Sequence, residues 1–116
     1  MYNLNSAPTV TNSIFWGNQP NQIVTAAYSY VHVSYSDVQD GDPVLTGQAY
    51  AGTANIAADP LFQAADDYLL TGTSPCIDAG SNLAGQSSRD VEWLMRPQCI
   101  FGSGSGCYDV GAYEAQ

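Results

Sequence analysis

The chain has 116 residues, with eleven Asp plus Glu against two cations, Arg89 and Arg96, for a formal net charge of −9; this length sets a prior of one domain. Two arginines cannot neutralise a run of phosphates, which excludes nucleic acid as a partner and disfavours an anionic membrane surface. Hydrophobic residues make up 45% and charged residues 11%, so the chain is not an apolar-poor, disordered acidic tail.

No apolar run approaches the roughly 20 residues of a spanning helix. The opening Met1-Tyr2-Asn3-Leu4-Asn5 lacks the basic start and apolar stretch of a signal peptide. Strong helix formers are scarce, with no Lys and only Glu92 and Glu114 as Glu. Thr, Val, Tyr, Ser, Asn and Gly dominate, and these favour strands and turns. The expected fold class is all-β.

In chain order, the first predicted strand region is Pro8 to Phe15. It lies over Val31 to Val38 at an offset of 23 residues: Val10 falls on Val33, Thr11 on Ser34, Ser13 on Ser36 and Phe15 on Val38. A second step of 23 places Ile56 beneath Val33 and Leu61 beneath Val38, with Asn55 to Phe62 as a weaker third copy. About 23 residues at roughly 3.3 Å each trace a loop of about 75 Å, the length of one solenoid coil of short strands and turns. Each coil hides its apolar face only by stacking on its neighbours. Val10, Val33 and Ile56 are therefore expected to stack inward. Alternation in Tyr30-Val31-His32-Val33-Ser34 puts Val31 and Val33 on one face and His32 on the other.

Turn signals are dense at Trp16 to Asn21, Asp40 to Pro43 and Asp78 to Asn82. Past residue 80 the periodicity fades. Asp90 to Met95 is read as a helical turn or two, and Gly102 to Gly106 as a Gly/Ser loop. The predicted architecture is one domain over residues 1–116. Residues 1–80 form three or four coils of a short parallel β-helix, and residues 81–116 form an irregular C-terminal cap.

Seven phrases then occur in order: Asn12-Ser13-Ile14-Phe15-Trp16-Gly17-Asn18, Ser34-Tyr35-Ser36-Asp37-Val38, Asn55 to Phe62, Asp67-Tyr68-Leu69-Leu70, Ser74-Pro75-Cys76-Ile77-Asp78-Ala79-Gly80, Arg96-Pro97 and Asp109 to Glu114. Together they resemble the C-terminal end of right-handed parallel β-helix proteins of the pectate-lyase-like superfamily, the choice-of-anchor Q group in particular. The resemblance covers residues 8 to 115. It implies a right-handed coil, an extracellular or cell-surface setting, and coils upstream of those seen here. Catalytic families with this fold carry carboxylates, or calcium with arginine, on central coils, so the resemblance implies no catalytic residue in this chain. Two stretches depart from the pattern: Ser88 to Met95 replaces an Asp/Gly-rich turn, and the stretch from Cys99 to Cys107 is an insertion.

Several residues are candidates for chemistry, each with a structural alternative. Asp37, Asp40 and Asp42 surround Gly41 and offer hard oxygen ligands for calcium, the one cofactor considered; solvated turn carboxylates are the alternative. Asp66-Asp67 is a weaker version of the same pattern. Trp16 and Tyr30, with Tyr28 and Tyr35, offer stacking faces for a polysaccharide, or packing ladders between coils. Asp59, Asp78 and Asp109 sit at turns, where a carboxylate accepts backbone N–H groups. Arg96 is expected to pair with Asp109 or Glu114 and clamp the final segment. Cys99 and Cys107 bracket the Gly/Ser loop and are close enough in sequence for a small disulfide, or stand as two thiols in a reducing cell. Cys76 reads as a small buried hydrophobe. One His and no Cys-x-x-Cys pair argue against zinc and against a Ser-His-Asp arrangement.

The function this predicts is a non-catalytic structural or interaction module. It self-associates into a homo-oligomer through an uncapped N-terminal end, where strand edges lie open. The alternatives are a carbohydrate-binding or carbohydrate-active domain and a calcium-stabilised, adhesin-like piece.

Overall fold

The computed structural model describes residues 1–116 apart from 27, 42–49, 66, 83–86, 98, 100–106 and 116. The protein is all-β: among the described residues there are strands and turns and no helix. Two compact units divide the chain, Met1–Ala58 and Asp59–Gln116.

The first unit contains β1 (Tyr2–Asn3), β2 (Thr9–Thr11), β3 (Ile14–Phe15), β4 (Val24–Thr25), β5 (Val31–Ser34), β6 (Asp37–Val38) and β7 (Tyr50–Ala51). Every pairing among them is parallel. The sheets run β1-β4, β2-β5-β7 and β3-β6. Parallel neighbours need a crossover between them, and here the crossover is made of further short strands and turns. The first register is the one the repeat predicts: Val10 pairs with Val33, Thr11 with Ser34 and Phe15 with Val38.

The next register corrects the expected one. Val31 pairs with Tyr50, His32 with Ala51, and Asp37 bridges Ile56, a step of 19 residues. Ile56 therefore lies beside Asp37 and not Val33. Leu61 falls in the second unit and is exposed. The cause is turn length. Val38 to Tyr50 spans four residue steps fewer than Phe15 to Val31, the equivalent segment one row earlier. What persists across the shortening is a corner of matched chemistry, Thr11-Asn12-Ser13, Ser34-Tyr35-Ser36 and Thr53-Ala54-Asn55. The Ser13 N–H donates to Ser36 Oγ and the Ser36 N–H to Asn55 Oδ1, each at 3.2 Å. Asn55 Nδ2 donates to the Val33 carbonyl at 2.7 Å. The central residues Asn12, Tyr35 and Ala54 all have left-handed backbones, with φ of 51°, 50° and 56°.

Ile23, Val31, Val33 and Val38 form the core of this unit, with Val10 and Phe15 packed against them. Period-two alternation in β5 is the reason: Val31 and Val33 are fully buried while His32 is exposed. Burial of each such side chain is worth about 1.5–3 kcal/mol.

The second unit opens with an antiparallel hairpin of β8 (Phe62–Ala64) and β9 (Asp67–Leu70), in which Phe62 pairs with Leu70. The Phe62 and Tyr68 rings meet edge to face at 5.5 Å. Leu70, Cys76, Ile77, Cys107, Tyr108 and Val110 are its buried apolar residues. Asp90 to Met95 is a tight turn closed by an Arg89–Met95 antiparallel bridge, where the sequence predicts helix. The Asp90 carboxylate decides this: Oδ1 accepts the N–H groups of Glu92 at 2.9 Å and Leu94 at 2.8 Å, diverting both from helical bonding.

Candidate functional site

Two places in the molecule concentrate the residues singled out above. One is the open side of the first unit. β1, β2 and β3 each have a single strand partner among the described residues, so one edge of each lies open. In the parallel ladder the His32 N–H donates to the Pro8 carbonyl at 3.0 Å. That register turns the N–H groups of Thr9 and Thr11 away from β5, toward the open edge. Tyr2 (68% exposed) and Leu4 (59%) flank it.

The other place is the C-terminal segment of the second unit. Arg96 Nε donates to Glu114 Oε1 at 2.7 Å, and Arg96 Nη2 donates to the Gly111 carbonyl at 2.8 Å. Of the two carboxylates considered for Arg96, Glu114 takes the guanidinium; Asp109 offers only its backbone carbonyl, at 3.5 Å. Glu114 Oε1 also accepts the Asp109 N–H at 3.0 Å. The Asp109 side chain is fully buried and accepts the N–H groups of Asp78 at 2.7 Å and Ala115 at 2.5 Å. Burial pushes its carboxyl up to about 6, against the lowering effect of these two donors, and nearby Glu114 and Asp78 add to the rise. Asp90 Oδ2 accepts the Glu114 N–H at 3.1 Å. Four carboxylates and one guanidinium thus hold the last residues in place.

The remaining candidates are placed as follows. Asp37 is fully buried in β6, with Oδ1 accepting the Ala58 N–H at 3.3 Å. Its side chain is therefore neither a solvated turn carboxylate nor turned outward with Asp40, which is exposed. Asp42 and Asp66 lie outside the described residues. Among the described residues, no three His, Cys, Asp or Glu side chains group to hold a metal ion. Asp67 Oδ1 accepts the Leu69 N–H, and Asp59 Oδ1 accepts the Leu61 N–H, each two residues on. Trp16 and Tyr35 are half-buried, whereas Tyr28 (83%) and Tyr30 are exposed. Cys99 and Cys107 are joined in a disulfide, and Cys76 is a buried free thiol.

Sequence reasoning missed Asp90 and Trp93. Asp90 organises the turn and Trp93 is 76% exposed on it with φ of 67°. An Asp two residues before Glu92 and four before Leu94 was the available signal, because a carboxylate at a turn start captures following N–H groups.

No helix is long and apolar enough to cross a membrane among the described residues. Comparison of the chain with protein-family models, with curated proteins and with solved structures returned no match.

Proposed function

We propose that this chain is a non-catalytic structural and interaction module, built as coils of a right-handed parallel β-helix, and that it self-associates through the open edge of β1, β2 and β3. The single observation that carries the reading is that edge: three strands with one partner each, flanked by exposed Tyr2 and Leu4. An unpaired strand edge is a template for a further strand. The solenoid reading draws support from all-parallel pairing and from left-handed corners that recur at matched positions, Asn5 with Tyr28, Asn12 with Tyr35, and Gly17 with Asp40. The ordered phrases quoted above supply the right-handed, pectate-lyase-like assignment and the extracellular or cell-surface setting. The Cys99–Cys107 disulfide suits an oxidising compartment.

Sedimentation velocity across a concentration series tests this. Dimers or larger species should grow with concentration. Thr9→Pro should shift the chain toward monomer, because it deletes an edge donor and spares the ladder to β5. A monomer at every concentration, or association untouched by Thr9→Pro, rejects the edge as the interface.

A second reading, carbohydrate binding, is favoured by Tyr28 and Tyr30, both exposed beside β5. Affinity electrophoresis in neutral polysaccharide gels checks it, with Tyr30→Ala abolishing any retardation.

A further inference from the structure

The second unit contains a cavity of about 320 Å³ whose walls have a consistent chemistry. Leu69, Leu70 and Ala115 supply apolar surface, Tyr113 an aromatic ring, and Gln63 and Glu92 polar ends. The volume lies at the lower end of small-ligand sites, which combine apolar walls with a few polar groups. The polar groups are acceptors. Gln63 spends an amide N–H on the Leu70 carbonyl at 3.1 Å, leaving its carbonyl oxygen as the group with capacity to accept. Glu92 contributes a carboxylate. The other carboxylate in the wall, Glu114, is committed to Arg96 and to the Asp109 N–H. No Lys or Arg lines the cavity.

From this we infer that the cavity is a binding site for an alkylammonium group, with Glu92 as counter-charge, Gln63 as hydrogen-bond acceptor, Tyr113 as cation–π wall and Leu69 and Leu70 around the alkyl stem. The alternatives fit less well. An anion would meet acceptors and a carboxylate. A neutral apolar molecule would desolvate Glu92 without a partner, which is costly. An ammonium satisfies the acceptors with its three donors and stacks favourably on an aromatic face. A chain of net charge −9 also draws cations toward it. The occupant is foreign to the chain: it has no lysine, and both arginines are engaged, Arg96 by Glu114 and Arg89 by the Trp93 carbonyl at 2.6 Å. The same ammonium chemistry is offered by a free amine and by a lysine side chain on a partner protein.

The fold supplies a clean steric block. Gly72 lines the cavity, and a Cβ built there meets nothing within 4 Å. Gly72→Leu should therefore narrow the site without disturbing the backbone.

The test is an NMR titration of the full chain at pH 7 with n-butylammonium, with n-butanol and butyrate as matched neutral and anionic probes. Butylammonium should saturate in about the 1–10 mM range, the affinity reachable by so few heavy atoms. The amides of Leu69, Gly72, Glu92 and Tyr113 should shift together. Glu92→Gln should weaken binding about three- to five-fold, the scale of a partly solvated ion pair. Gly72→Leu should abolish it while leaving the remaining spectrum in place. A pentapeptide with a central lysine separates the two sources: binding assigns a protein lysine, and failure beside a binding butylammonium assigns a free amine. Equal binding of butanol or butyrate, linear shifts without saturation, or unchanged affinity in Glu92→Gln overturns the proposal.

Discussion

Asn5 and Tyr28 lie 23 residues apart and share one left-handed corner, with φ of 49° and 64°. The strands around them pair in register, the Tyr30 N–H donating to the Ser6 carbonyl at 3.0 Å. Asn tolerates this backbone region because its short polar side chain bonds locally, while a Tyr there is strained. Tyr28 is almost fully exposed, so its ring adds little packing in return. Tyr28→Asn should stabilise the protein by about 0.5–1 kcal/mol, seen as a rise of a few degrees in Tm. A fall in Tm would mean that the ring makes a contact worth more than the strain.

Ser29 and Ser36 are both fully buried and should respond in opposite ways. Ser36 Oγ accepts the Ser13 N–H and donates to the Ser34 carbonyl at 2.9 Å, whereas Ser29 Oγ has no hydrogen-bond partner. Removing a bonded hydroxyl strands a buried donor; removing an unbonded one removes a desolvation penalty. Ser36→Ala should cost about 1–3 kcal/mol and Ser29→Ala should be neutral or stabilising by about 1 kcal/mol, read from denaturant midpoints.

Gly80 approaches the chain at Tyr108 so closely that a Cβ would lie 2.7 Å from the Tyr108 carbonyl oxygen. The Gly80 N–H donates to that same oxygen at 2.7 Å. Backbone on both sides leaves nothing flexible to yield. Gly80→Ala should destabilise by about 1–3 kcal/mol through overpacking, and amide exchange at Val110 should quicken with it.

Arg96 and Glu114 form a pair whose carboxylate side chain is fully buried. Arg96→Ala leaves Glu114 charged and enclosed, a change that costs about 3–5 kcal/mol in buried pairs. Arg96→Lys should recover little, because a single ammonium cannot reach Glu114 and the Gly111 carbonyl in the guanidinium's geometry. Thermal melts of the two variants check both statements.

Asp109 predicts an unusual pH response. Its carboxyl is raised from 3.8 to about 6 by burial, so between those values the folded chain holds a proton that the unfolded chain releases. Stability from this group therefore increases as pH falls through 6, levels off below 4, and is lost as pH rises above 6. Discharging other carboxylates also lowers self-repulsion, so the informative quantity is the difference between wild type and Asp109→Asn. The variant should show a flatter stability profile between pH 7 and pH 4.5; parallel profiles would remove Asp109 as the source.

The sequence by itself determined the local and near-periodic features. Val31, His32 and Val33 alternate because side chains of a strand alternate, and the structure buries the two valines and exposes the histidine. Val10 meets Val33 because equal spacing between similar strands survives as equal register. The partner of Arg96 was narrowed to two carboxylates, since a chain with two cations and eleven acids leaves few ways to neutralise a buried guanidinium. Only the tertiary structure decided the rest. Ile56 sits by Asp37 because the intervening turn is shorter, and a fixed-period alignment cannot register a change in turn length. Asp37 is buried and Asp40 exposed although three residues apart, since one lies in a strand against the core and the other on a turn. Glu114 prevails over Asp109 at Arg96 because the Asp109 carboxylate is already filled by two backbone N–H groups from Asp78 and Ala115. Side-chain direction is a property of a residue and its neighbours, whereas register and hydrogen-bond allocation are properties of distant segments competing for the same atoms.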